Sequence, residues 1–306
     1  MYQVQQQIGN VSLFSKNAIQ EYFLLYPLSN EDTHFESIVG ENSSIQEIQG
    51  NATVDETITK SQLFVTGNLV CNGPIEKSTI VCLGDVIING TVNECSLFVR
   101  GEINCVSIAN SIVVNEHDVI IKNEIRKSEI TSGGNFDGIR AVIQGSKVVV
   151  CENIIVEKVS KPTEFTQTSL IAGDKRLLRE KIVQQKTKLT DFEQKIVSTK
   201  QAIEHIVKRM IQLNKLTMKF PLLDELKSTL RQLEETVEKQ KKLVASLLEQ
   251  NSLPRRENYI QINSSFSDGI FIEISGTKFI SLSSEEGVRY KTDGEAVYSL
   301  PIKQLL

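Results

Sequence analysis

The stretch Ser61-Gln62-Leu63-Phe64-Val65-Thr66-Gly67 can be laid over Ser78-Thr79-Ile80-Val81-Cys82-Leu83-Gly84 and over Cys95-Ser96-Leu97-Phe98-Val99-Arg100-Gly101, and every apolar slot falls on an apolar slot. Gly67, Gly84 and Gly101 stand seventeen residues apart. That shift sets four columns: Leu63, Ile80, Leu97 and Val114; Val65, Cys82 and Val99; Leu69, Val86, Ile103 and Ile120; and Cys71, Ile88 and Cys105. Within a unit these residues alternate with polar neighbours at the period of a strand. A unit of this length is too short for a crossover helix, so a stack of short parallel strands turning at Gly or Asn satisfies it. The spacing predicts a β-solenoid over residues 51–161, with Gly67, Gly84, Gly101, Gly133, Gly134 and Gly138 as structural turn glycines.

On the N-terminal side, residues 1–50 read as a cap or short lead-in. Ala18–Leu28 holds Ile19, Tyr22, Phe23, Leu24 and Tyr26, a short helix or strand ended by Pro27, and a cap would protect an open edge with an apolar interior. On the C-terminal side the repeat loosens after Ser111, and residues 162–173 read as a connector.

From Asp174 the pattern changes to heptads. Ile182, Leu189, Ile196, Ile203 and Met210 form one column, and Gln185, Phe192, Thr199, Ile206 and Leu213 follow three residues behind. After a break at Leu216–Pro221, Leu223, Leu230, Val237 and Val244 run beside Leu226, Leu233, Gln240 and Leu247. Two heptad helices around a Pro-containing break predict an antiparallel coiled-coil hairpin over residues 174–251, the first arm roughly 55–60 Å long and projecting from a compact body. Residues 252–306 return to alternation, with Gly269, Gly276, Gly287 and Gly294 as turns, and are expected to pack on or close the solenoid.

The net charge of −4 argues against a general nucleic-acid binder. The charge is also sorted along the chain: residues 174–250 carry 17 Lys+Arg against 11 Asp+Glu, a net of +6, leaving −10 elsewhere. The five cysteines are odd in number, form no Cys-x-x-Cys pair, and take core columns in three cases, which suits a reducing compartment. No basic leader and no apolar run long enough for a membrane span is read, so a cytoplasmic location is expected and a membrane partner is not.

The order of these segments resembles the flagellar assembly protein A family. The resemblance is carried by Gly133-Gly134-Asn135-Phe136-Asp137-Gly138, by Ile154–Gly173 leading into the helix, and by Ser267-Asp268-Gly269-Ile270-Phe271-Ile272-Glu273-Ile274. It covers roughly residues 50–306 and implies a right-handed, single-stranded parallel β-helix. It also implies a cytoplasmic bacterial scaffold that serves flagellar placement or assembly through protein contacts, similar in architecture to polymer-forming bactofilins.

Catalytic constellations are weighed against that reading. Gly133–Gly138 lacks the Gly-Lys-Ser/Thr ending of a phosphate loop and opens no helix. Glu116, His117 and Asp118 are adjacent strand residues and point to alternate faces. His205 lies off the heptad seam, and His34 falls in a loop. Asp85, Glu102 and Asp118 approach the acidic row of polysaccharide-cleaving solenoids, so a carbohydrate-binding or carbohydrate-active β-helix is the rival reading. Against it stand a low aromatic content of 6% and the absence of Trp. No enzyme activity, cofactor or metal is expected. Protein partners, acidic in character, and a homo-oligomer are expected, with Lys208, Arg209, Lys215 and Lys219 near the hairpin tip as contact residues.

Overall fold

Parallel pairing at steps near seventeen residues organises the computed structural model, which describes residues 32–40, 45–160, 167–212, 221–252, 258–281 and 284–302. Strand Gln62–Val65 pairs with Thr79–Cys82, which pairs with Ser96–Val99, each residue opposite its repeat-mate: Leu63 with Ile80 and Ile80 with Leu97. Leu69–Cys71 pairs with Val86–Asn93 in the same way. The chain is a β-solenoid of about seven turns with a helical insertion and C-terminal strands. Its described strands form one 14-stranded and one 10-stranded sheet.

The core lies between the two sheets. Leu63, Ile80, Leu97, Ile130, Val148, Leu170 and Ile272 enter it from one side, and Leu69, Val86, Ile103, Val119, Phe136, Ile154 and Ile260 from the other. Close-packed aliphatic columns of this kind stabilise each coil only through its neighbours, so the stack rather than the single coil is the folding unit.

Several expectations need correction. The third repeat, Cys95–Asn110, is one residue short and displaces the fourth, so Leu97 pairs with Val113 and Ile103 with Val119, not with Val114 and Ile120. The register slips inside the strands, between Cys105 and Ser107, which keeps the inward columns inward. The parallel ladder also begins before residue 51. Asp32–Phe35 pairs with Asn51–Val54, and Ile45–Ile48 with Gln62–Val65. Within the expected connector, Ser169–Ala172 is a strand paired with Lys147–Val150. The Ala18–Leu28 segment lies outside the described residues.

The turns differ from expectation too. At one corner of the coils the left-handed backbone is carried by Lys60, Lys77, Glu94, Asn110, Lys127 and Gly145, of which one alone is glycine. Each non-glycine residue there costs about 1–2 kcal/mol. The residue that follows most of them offsets this. Ser78 Oγ donates to Glu76 O at 2.7 Å and accepts the Ser61 N–H at 3.1 Å. Ser111 Oγ donates to Ala109 O at 2.6 Å and accepts the Cys95 N–H at 3.0 Å. Ser128 and Ser146 repeat the arrangement, and Cys95 takes the same place with its thiol. A buried hydroxyl ladder thus joins coil to coil.

Gly67, Gly84 and Gly101 sit in bends, where they are needed for another reason. Each donates its N–H to the glycine one coil before, Gly84 to Gly67 at 3.0 Å and Gly101 to Gly84 at 3.1 Å. A Cβ on Gly84 would meet the Gly67 carbonyl oxygen at 2.7 Å. Gly133 and Gly134 occupy the corresponding bend opposite Glu116 and His117. Gly138 is not a turn residue. It lies inside strand Phe136–Gln144 opposite Val156, and a Cβ there would meet the Phe136 ring at 2.8 Å. The Phe136 ring fills the volume that glycine leaves, a large–small exchange within one layer of the core.

The chain divides into two units, one made of Met1–Asp174 and Glu257–Leu306, the other of Lys175–Arg256. In the first, Ile260–Phe266 resumes the parallel ladder on Ile154–Ser160, and Phe271–Ile274 resumes it on Ser169–Ala172. In the second, helix α1 (Lys175–Gln212) and helix α2 (Pro221–Ser252) carry the heptads. Ile182, Gln185 and Met210 of α1 and Val237, Gln240, Val244 and Leu247 of α2 are buried, and the other described seam positions are half-buried.

Candidate interaction surface

Two carboxylates of the solenoid's acidic row, Asp85 and Asp118, are engaged by its own backbone. Asp85 Oδ1 accepts the Glu102 N–H at 2.9 Å, and Asp118 Oδ1 accepts the Asn135 N–H at 2.6 Å. Amides do the same elsewhere in the row: Asn51 Oδ1 accepts from Asn68 N at 2.9 Å, Asn68 Oδ1 from Asp85 N at 2.8 Å, and Asn153 Oδ1 from Tyr259 N at 3.0 Å. Side chains of Asn and Asp reach the next coil's N–H because the bend stacks directly on its predecessor. At Asp85 and Asp118 the row that suggested sugar chemistry is therefore a structural ladder, while the Glu102 side chain is exposed.

The histidines do not converge. His34 Nε2 lies 2.7 Å from Asp55 in an exposed pair, while His117 and His205 are exposed. The His117 carbonyl, not its ring, is engaged, accepting from Ser132 Oγ and from Asn115 Nδ2. Among the described residues no group of three or more His, Cys, Asp or Glu could hold a metal. The thiols of Cys82 and Cys105 are pushed up to about 12, and that of Cys95 to about 11, by burial, so they stay protonated and serve as small core residues.

An open groove of about 410 Å³ follows the left-handed turns, lined by residues that include Asn110, Ser111, Lys127, Ser128, Glu129, Lys147 and Gln167. Lys147 Nζ pairs with Glu129 across one coil step at 2.9 Å. Among the described residues no aromatic ring lines it.

The helical unit offers a different surface. Gln240 Nε2 donates to Gln185 Oε1 at 2.6 Å and to Gln185 O at 3.1 Å, a buried polar pair in a mostly apolar seam. Lys200 pairs with Glu234 at 2.9 Å and Lys241 with Glu193 at 3.4 Å, both between exposed groups and so of small energetic weight. Lys208 Nζ lies 2.6 Å from Glu204 one turn earlier, and this hydrogen bond holds the Glu204 carboxyl below the usual range. Arg209 is exposed. Lys215 and Lys219 lie outside the described residues. Val183, Val197 and Ile211 are exposed at successive steps of two heptads, a line of apolar side chains off the seam. Sequence reading set the heptad columns and passed over this line, although its spacing was visible.

No described helix is long and apolar enough to cross a membrane. No curated protein and no solved structure matches the chain. The family model described as the Flagellar Assembly Protein A beta solenoid domain matches residues 4–295, spanning the repeats, both helices and the returning strands. With a stacked parallel core, a helical insertion and strands that rejoin both sheets after it, the chain belongs to the flagellar assembly protein A family.

Proposed function

We propose that this protein is a cytoplasmic, non-enzymatic scaffold that acts in flagellar assembly or placement through protein–protein contacts and self-association. The observation that carries the reading is the use of the Asp85 and Asp118 carboxylates to accept backbone N–H groups of the following coil. Each of these carboxylates commits one oxygen to joining successive coils, which supports a structural role for them. Family membership supports the flagellar context.

The solenoid is read as a right-handed single-stranded parallel β-helix, the hand that a parallel crossover adopts almost always. The two helices are read as an antiparallel coiled-coil hairpin. Glu193 and Lys200 of α1 pair with Lys241 and Glu234 of α2, partners that fall in number along α2 as they rise along α1, which supports that orientation. A buried Gln pair in such a seam fixes register at some cost in stability. The +6 helical segment then provides a cationic contact surface for an acidic protein partner, and Lys208, Arg209, Lys215 and Lys219 are the residues proposed to meet it.

Charge reversal at Lys208 and Arg209 is expected to weaken capture of partners from the source cell about tenfold while leaving the melting curve unchanged. Unaltered capture with the same variant would remove the proposed contact residues. Loss of capture on deleting the whole helical unit, without loss on charge reversal, would place the contact on the apolar line instead.

A further inference from the structure

The coils of this solenoid are parallel up to the last pair, and then the direction changes in both sheets. Thr277–Ile280 turns back on Phe271–Ile274 in antiparallel pairing, through Ser275 and Gly276 at positive φ. In the other sheet Glu285–Thr292 lies antiparallel on Ile260–Phe266, and Val297–Pro301 lies antiparallel on Glu285–Thr292. Two independent reversals at the same level of the stack end the parallel register at that level.

The reversed strands also close the interior. Tyr290, in register with Ile260, is 1% exposed, and its ring meets the Phe266 ring edge-on at 5.7 Å and the Phe279 ring at 5.9 Å. Val288 covers Ile262 in the same strand pair. Phe279 and Val297 pack against this plug as partly buried residues. The outermost described strands carry features that oppose further pairing: exposed Lys278 in Thr277–Ile280, and Pro301, which has no N–H to donate, in Val297–Pro301.

We infer that strands Thr277–Ile280, Glu285–Thr292 and Val297–Pro301 form a terminator that prevents a second copy of this chain from stacking its coils onto the C-terminal end of the solenoid. A parallel solenoid with an open last coil offers a row of unpaired backbone groups and an apolar interior in one plane, which is the surface that end-to-end polymerisation uses. Here that surface is met by strands of opposite direction with aromatic side chains over the core. The inference sharpens the self-association reading above by stating which end does not take part, so association of whole chains must use other surfaces.

The test compares the full chain with two variants by sedimentation velocity across a wide concentration range, together with amide hydrogen exchange. The first variant stops after Ser281, removing Glu285–Thr292, which covers Ile260–Phe266, and Val297–Pro301, which lies on it. The second, Tyr290→Ala, keeps every strand and loosens the plug. The full chain is expected to form no end-to-end filaments. The truncated chain is expected to form strand-rich assemblies that lengthen with concentration. Tyr290→Ala is expected to raise exchange across Ile260–Phe266 by about tenfold and to increase association in proportion. Filaments of the full chain joined end to end at the C-terminal coils would overturn the inference. So would a folded Tyr290→Ala protein whose Ile260–Phe266 amides exchange faster but whose size never changes, and this arm decides the matter even where the truncated chain does not fold. Association of the full chain that disappears on deleting Lys175–Arg256 supports the scaffold reading and leaves the terminator intact. A full chain that never associates removes the former alone.

Discussion

Replacing Gly84 by Ala tests whether coil-on-coil backbone contact, and not turn conformation, is what the glycine columns supply. The Gly84 φ is outside the left-handed region, so alanine meets no backbone strain there. Its Cβ would stand 2.7 Å from the Gly67 carbonyl oxygen and 2.8 Å from the Gly67 carbonyl carbon, main-chain atoms that cannot rotate away. Relief requires the two coils to separate locally. That costs about 1–3 kcal/mol as overpacking. It also weakens two hydrogen bonds in the same step, Gly84 N to Gly67 O at 3.0 Å and Asp85 N to Asn68 Oδ1 at 2.8 Å, each contributing about 1 kcal/mol. The expected loss is about 3 kcal/mol. Gly276→Ala is the control: at φ +94 with nothing within 4 Å of a new Cβ, it carries conformational strain without steric conflict and is expected to cost about 1–2 kcal/mol. Urea unfolding followed by far-UV circular dichroism gives the ranking. Because solenoid coils are coupled neighbour to neighbour and need not unfold in one step, amide exchange over Gln62–Cys71 and Thr79–Ile88 locates the loss. A Gly84→Ala protein as stable as Gly276→Ala, or one with unchanged exchange in those strands, would refute the argument.

Ser111→Ala removes a buried hydroxyl that both donates to Ala109 O and accepts from Cys95 N, leaving that N–H buried without its partner, and is expected to destabilise by about 2–3 kcal/mol. Ser111→Cys, which copies the arrangement Cys95 already uses, is expected to lose less than half as much in the same denaturation assay. For the thiols, burial raises Cys82 and Cys105 to about 12, above the ordinary 9.0, so the folded chain keeps protons that the unfolded chain releases. Their contribution to stability is full below the unfolded value and is lost as pH rises from about 9 toward 12. The urea midpoint should therefore fall between about pH 8 and pH 10.5, and fall less steeply in a Cys82→Val, Cys105→Val protein. Parallel slopes for the two proteins would contradict the assignment of those thiols to the interior.

The inward columns were legible because a period of two combined with a period of seventeen specifies both the face and the neighbour. Leu63, Ile80 and Leu97 needed no further information. The fourth repeat was misplaced by one residue because both Val113 and Val114 are apolar, and composition alone does not choose between them; the hydrogen-bond register does. Gly138 misled for a related reason. Glycine signals both a bend and a vacancy, and the ring of Phe136 filling that vacancy is visible only when the two residues are seen in one layer. The left-handed turns at Lys60, Lys77, Glu94 and Lys127 left no glycine signature, since the serine ladder beside them carries the stabilisation.

The outward face shows the same limit. Phe64, Val81 and Phe98 alternate away from the core columns, yet they are only 4%, 1% and 5% exposed. Periodicity tells which side of a sheet a residue occupies and is silent on whether that side is covered. The repeat, the heptads and the charge division were written in the chain itself, because each depends on residues close in sequence. Which carboxylates serve the backbone, which glycines prevent a clash and where the stack stops were decided by coils meeting across seventeen residues or more, since only there do backbone groups far apart in the chain compete for the same space.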